Sequence, residues 1–272
     1  MAVADPASSQ KSYRHRFGGD FPFCSTGNFR YSPLMLDDLS QWLHTPLGQR
    51  VYSLERKLVQ EALAQVFGWQ LLQVGAWGDD DGLIAEARTQ YKAVIAEHPG
   101  SCAVMRSRTD ALAIASDSVD AVLLPHTLEY QPDPHEILRE VSRILAPQGH
   151  LIILGFRPLS SWGVRHAFAR TGFPPGLERL IAERRLKDWL KLLGFEVIDA
   201  RRYLFSMPWG PAERRTQRFI ESVGERALPL LAGAYLIKAR KRIYCVTPVR
   251  PRWRTPARVI GGLIEPATRH RS

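Results

Sequence analysis

The stretch TDALAIASDSVDAVLLPHTLEYQPDPHEILREVSRILAPQGHLIILGF, residues 109–156, decides the fold. Ala121 to Leu124 is a short apolar run that continues to Pro125, and it predicts a strand. Asp133 then offers an N-cap, Pro134 suits the first helical position, and Glu136 completes an Asp-x-x-Glu capping pattern. Ile137, Leu138, Val141, Ile144 and Leu145 fall on one face of the helix so started. Pro147 and Gly149 stop it. Leu151-Ile152-Ile153-Leu154 is apolar throughout, as a strand covered on both faces must be. A strand, a helix and a strand with short links form the unit of a parallel sheet.

Outward from this stretch the same alternation continues. Val51, Leu54, Leu58, Ala62 and Val66 recur at helical spacing between Leu47 and Phe67, and Gly68 ends the run. Leu71 to Val74 is a strand ending at Gly75, Leu83 to Thr89 a helix, and Ala93 to Ala96 a strand ending at Glu97. His98-Pro99-Gly100 is a turn, and Cys102 to Met105 a third strand. On the far side, Leu186 to Leu193 reads as a helix capped by Gly194, and Phe195 to Ala200 as a strand. Glu213 to Leu228 reads as a helix and Tyr235 to Ile237 as the last strand. The expectation is an α/β, Rossmann-like, doubly wound sheet of seven mostly parallel strands. Residues 1–46 form a polar segment and an aromatic-rich helical flap, 47–246 the main domain, and 247–272 a loosely ordered basic tail.

Composition narrows the class. The chain has 272 residues, 45% hydrophobic and 24% charged, so a fibrous or wholly disordered chain is excluded. No apolar run reaches membrane-spanning length and the N-terminus has no apolar signal core, so a cytoplasmic location is expected. Cys24, Cys102 and Cys245 make no disulfide framework or metal spacing, and the histidines form no ligand cluster. Charge is uneven. Residues 71–155 carry 6 basic and 12 acidic side chains, and residues 156–272 carry 24 and 9. That asymmetry suggests an anionic partner for the second half: nucleic acid, phospholipid headgroups or an acidic substrate.

In a doubly wound sheet the ligand crevice lies at the carboxyl ends of the strands. Gly75, Glu97, Asp110 and Pro125-His126 end four successive strands there. Gly75 lets the backbone turn close to a ligand. Glu97 stands where an acid binds two ribose hydroxyls. Asp110 can accept from an adenine amino group, and the Ala111 N–H can donate to the ring. Plainer readings stand beside these: a strand-ending turn at Gly75, a surface acid at Glu97, a turn cap at Asp110 and a structural histidine at His126. The string Gly75-Ala76-Trp77-Gly78-Asp79-Asp80-Asp81 is no GxGxxG loop, and three successive aspartates repel a pyrophosphate, which disfavours NAD or FAD.

LLQVGAWGDD (71–80) together with residues 109–156 resembles the class I S-adenosylmethionine-dependent methyltransferases. The likeness is to the branch of the ubiquinone/menaquinone-biosynthesis and malonyl-carrier-protein methyltransferases, and it covers roughly residues 48–200. The matching features are Asp-Ala, Ser-x-Asp before the fourth strand, Leu-Glu, Asp-Pro, Leu-Arg-Glu, Arg-x-Leu and Pro-x-Gly. The resemblance implies S-adenosyl-L-methionine as cofactor. Gly75 then passes its methionine part, Glu97 binds the ribose, Asp110 and Ala111 hold the adenine, and Pro125 and His126 line the methyl region. The chain departs from the family at Trp77 and Asp79, which replace glycines, and at Gln73, which replaces an acid.

A sulfonium methyl donor is already activated, so alignment and exclusion of water are the main demands, and His126 is the candidate base or orienting group. The acceptor expected is a small molecule or a carrier-bound acid. The alternatives are an RNA substrate, or a catalytically degenerate binding protein of the same fold. Peripheral membrane contact through the basic C-terminal block is a further expectation.

Overall fold

A computed structural model describes residues 33–78, 81–97, 105–170, 172–208 and 232–242, with the backbone alone for 33–37. Helices α1 (Pro33–His44) and α2 (Pro46–Leu63) lead into β1 (Gln70–Val74). Next come β2 (Tyr91–Ala96), β3 (Met105–Arg106), β4 (Val119–Pro125), α3 (Thr127–Tyr130), α4 (Pro134–Ile144) and β5 (Leu145–Phe156). The series continues with α5 (Ser161–Phe168), α6 (Glu183–Leu192), β6 (Phe195–Tyr203) and β7 (Ala234–Lys241).

The seven strands form one sheet in the order β3-β2-β1-β4-β5-β7-β6. The first five are parallel, and β7 runs antiparallel between β5 and β6. The order reverses between β1 and β4, which places the crevice of an open α/β sheet at their carboxyl ends. Both faces are covered. One carries α1 and α2 over Leu71, Leu123 and Ile152; the other carries α4 and α6 over Leu72, Val122 and Ile153. Adjacent strand residues therefore go to opposite cores, which is why the strands read as unbroken apolar runs.

The local signals explain the elements that matter for the crevice. Asp133 Oδ1 accepts from the N–H groups of His135 and Glu136, with Pro134 at the first position of α4. Asp120 Oδ2 accepts from the N–H groups of Trp69 and Gln70 and fixes the start of β1 beside β4. Thr45 Oγ1 accepts from the N–H of Gly48 at the head of α2.

The structure corrects two expectations. Residues 83–89 form turns, not a helix. Leu83 and Ile84 are adjacent and both buried, which suits a turn driven into the core better than a helical face. Seven residues also gain little over the cost of helix nucleation. The carbonyls of Ala85 and Ala87 accept from Lys92 Nζ instead. The strands outgrow their apolar centres: β5 begins at Leu145 and runs through Pro147 and Gly149, and β7 extends to Lys241. The expected turn at 98–100, most of the expected third strand, the helix at 213–228 and the tail lie outside the described residues, as do residues 1–32 of the flap.

Candidate functional site

Gly75 follows β1 with φ +99, a backbone conformation that glycine adopts without cost. A Cβ there would run into the side chain of Thr127, whose Oγ1 donates to the Val74 carbonyl at 2.5 Å. The ends of β1 and β4 are thus tied through a place only glycine fits. Glu97 follows β2 and is half-buried. Its Oε1 accepts from the N–H and the hydroxyl of Thr109, each at 3.0 Å, and its carbonyl accepts from Arg106 Nε. Asp110 and Ala111 lie just past β3. Asp110 is gripped by the Arg108 guanidinium at 2.9 and 2.5 Å, and Ala111 bridges back to Arg108. Pro125 is the last residue of β4, opposite Leu154.

His126 leaves the sheet with φ 57 and is wholly buried. Its Nδ1 lies 3.0 Å from Glu129 Oε2 and its Nε2 lies 2.9 Å from Glu55 Oε1. The Phe156 ring stacks on the imidazole at 4.2 Å, and the Trp77 ring approaches from another side at 4.3 Å. Trp77 Nε1 donates to Glu55 Oε2 at 2.6 Å, and the Tyr203 hydroxyl donates to Glu55 Oε1 at 2.9 Å. Glu129 Oε1 accepts from the Phe156 N–H at 2.7 Å. Every oxygen of both carboxylates is therefore used, as buried charge requires.

Burial works against a charged imidazole, but Glu55 and the hydrogen-bonded Glu129 outweigh it, and the His126 pKa rises from 6.5 to about 9. Burial pushes the Glu129 carboxyl up, against the pull of His126. One imidazolium between two carboxylates leaves the cluster short of positive charge, and that keeps the proton on the ring.

Two members of this cluster escaped the sequence reading. Glu55 lies on α2, 71 residues before His126. It was nonetheless visible as an acid at the i+4 position from Val51 and the i−4 position from Val59, inside the buried stripe of that helix. Glu129 follows His126 by three positions, and only that His-x-x-Glu spacing after β4 hints at the contact. Trp77 occupies the second glycine position by turning its ring into the core beside Trp42, 6.2 Å away.

Two buried polar atoms at this edge have no hydrogen-bond partner: Oε1 of Gln73 and the hydroxyl of Tyr130. The Gln73 amide is anchored at the turn, its Nε2 donating to the Gly75 carbonyl at 3.1 Å. The Tyr130 ring lies 6.2 Å from Trp77. An unused acceptor and an unused donor at the strand ends fit a ligand carrying both an ammonium and a carboxylate. Glu97, with one oxygen held by Thr109, fits a pair of ribose hydroxyls. Among the described residues no cluster of three metal-ligating side chains occurs.

Comparison with known proteins bears on the family and the fold. Residues 59–153 match the family described as Methyltransferase domain. The protein YafS of Escherichia coli K12, itself uncharacterised, is 34% identical over 215 residues, covering 76% of this chain and 82% of YafS. A Thermotoga maritima SAM-dependent methyltransferase, described as a possible histamine N-methyltransferase, superposes with TM-score 0.59 at 18% identity. The match covers 77% of this chain and 97% of the other. A putative methyltransferase of Haloferax volcanii, solved with the activator Trm112, superposes with TM-score 0.52 at 16% identity over 75% of this chain and 98% of its own. At these identities the two solved structures speak for the fold alone.

Proposed function

From the premise that this chain belongs to the S-adenosylmethionine-dependent methyltransferase family and takes S-adenosylmethionine as cofactor, we propose that it methylates a small-molecule or carrier-bound acceptor. The observation that carries the methyl-transfer part of this reading is the row of strand ends at Gly75, Glu97 and Pro125-His126; the acceptor class follows the family resemblance of residues 109–156. Beside it stand the two unpartnered buried atoms of Gln73 and Tyr130.

When bound, the cofactor supplies an activated methyl group on a sulfonium. The protein's own residues bind and orient it. Glu97 accepts from the ribose hydroxyls, and the backbone at Gly75 passes the methionine part, with Gln73 and Tyr130 offering its polar ends an acceptor and a donor. Asp110 and Ala111 take the adenine edge, Asp110 by exchanging part of its exposed pairing with Arg108, which is worth little in water. Pro125 and His126 border the methyl region. His126 acts there as a positioning residue, through its bonds to Glu129 and Glu55, since both its nitrogens are held by those carboxylates and its pKa is raised to about 9. With both nitrogens already bonded to carboxylates, the ring has no free lone pair to take a proton from an acceptor. Trp77 and Phe156 are fully buried against the imidazole, with Trp162 stacked on Phe156, and they exclude water from it.

The test is calorimetric titration with S-adenosylhomocysteine on wild type and Glu97→Ala. Charge-assisted bonds of roughly 1.5–3 kcal/mol are lost, so affinity should fall about 10- to 150-fold. Glu97→Gln, which still accepts from a hydroxyl, should fall between the two. Wild-type protein that gives no heat would leave the degenerate binding protein as the better reading. Unchanged affinity in Glu97→Ala would move the ribose elsewhere.

A further inference from the structure

We propose that a cationic pocket beyond the carboxyl end of β5 binds a phosphate group of the methyl acceptor; the acceptor role rests on the methyl-transfer reading, whereas the phosphate binding does not. The pocket is a cavity of about 360 Å³ lined by Arg157, Arg184, Lys187 and Arg202, with Glu183 and Leu159 also in its wall. Arg157 follows Phe156, the residue whose ring stacks on His126. One wall of the pocket therefore begins at the carboxyl end of β5, the edge at which β1, β2 and β4 also end.

Its charges are unequal. Four cations face one carboxylate. Glu183 is shared, with Oε2 accepting from Arg202 Nε at 2.8 Å and Oε1 from Lys187 Nζ at 2.6 Å. Arg184 makes no ion pair among the described residues, and Arg157 donates to the Ala232 carbonyl at 3.3 Å. Burial, and then the like charge of Arg202, pull the Arg157 pKa below its ordinary value, so the guanidinium sits where added negative charge would be welcome. Ala182 precedes α6 and supplies no capping side chain, so the first-turn N–H groups at the pocket wall lack a side-chain acceptor.

A dianionic tetrahedral group answers all of these at once. It meets the surplus positive charge, accepts from guanidinium forks and presents oxygens to the start of α6. Leu159, 84% exposed, gives the remainder of such a ligand an apolar contact.

The experiment is titration of the full chain with inorganic phosphate against chloride at matched ionic strength. S-adenosylhomocysteine affinity is measured in the same samples. Wild type should bind phosphate saturably. Arg184→Ala combined with Lys187→Ala should weaken it about tenfold or more, while Arg184→Lys, which keeps the charge and loses the fork, falls between wild type and Arg184→Ala, and cofactor affinity holds throughout. If the double variant also loses S-adenosylhomocysteine, the exposed single change Arg184→Ala decides the matter. Sedimentation with phosphatidylglycerol vesicles that phosphate competes away assigns the group to a lipid headgroup; a calorimetric response alone assigns it to a soluble ligand. No saturable response in wild type, or equal affinity in the double variant, overturns the proposal. Phosphate binding without S-adenosylhomocysteine binding would keep the pocket and remove the methyl-transfer reading.

Discussion

A histidine clamped between two buried carboxylates has little freedom over its charge. In the unfolded chain His126 titrates near its ordinary 6.5, and in the folded protein near 9. The folded pKa is the higher one, so the pair of contacts stabilises fully below about pH 6.5 and loses that contribution as pH rises through about 9. The gap corresponds to about 3 kcal/mol as an upper figure. Thermal unfolding of wild type should therefore weaken across this window. His126→Asn keeps a residue that tolerates positive φ but does not titrate there. It should be less stable at pH 6.5 and lack this alkaline loss. An identical alkaline slope in the variant would place the titration in another group. The sequence singled out His126 through its place after β4. It could not supply the charge state, because that depends on Glu55, a residue brought in from α2.

Between elements, the joint of β1 and β4 shows what sequence carries and what it leaves open. The two strands were legible because their residues alternate between two cores and so look apolar throughout. Gly75 was legible as a turn. Its second constraint was not, since Thr127 lies 52 positions further along the chain and meets it only in the folded sheet. The failed helix at 83–89 has the same origin: propensity favours a helix, and burial of Leu83 and Ile84 overrides it. The Gly75–Thr127 joint can be tested by urea unfolding. Gly75→Ala should cost about 2–3 kcal/mol, from strained φ and from the clash. Thr127→Ala removes a hydrogen bond and should cost about 1 kcal/mol. It also makes room for the added methyl group, so the double variant should be less destabilised than the sum of the singles. Strict additivity would mean that the two residues do not share the space the structure gives them.

For the molecule as a whole, charge and fold separate along the chain. The last strand ends at Lys241, and the chain divides into two units, 1–242 and 243–272. Among the described residues no helix is long and apolar enough to cross a membrane. The tail from Thr247 carries six arginines, one acid and four prolines, with no apolar period. We propose from this composition that the tail adds little to the stability of the folded domain. Its arginines instead add to the surplus of positive charge in the second half, which acts on association and not on the fold. Truncation before Thr247 should therefore leave the melting temperature nearly unchanged by circular dichroism, and leave S-adenosylhomocysteine affinity intact. The same truncation should lower any binding to RNA at low salt, with the difference vanishing as salt rises, because released counterions drive that association. A large drop in melting temperature, or insoluble protein, would show that the tail completes the core. RNA binding that survives both truncation and salt would make nucleic acid the better candidate for the acceptor, since it would have to reside in the folded domain.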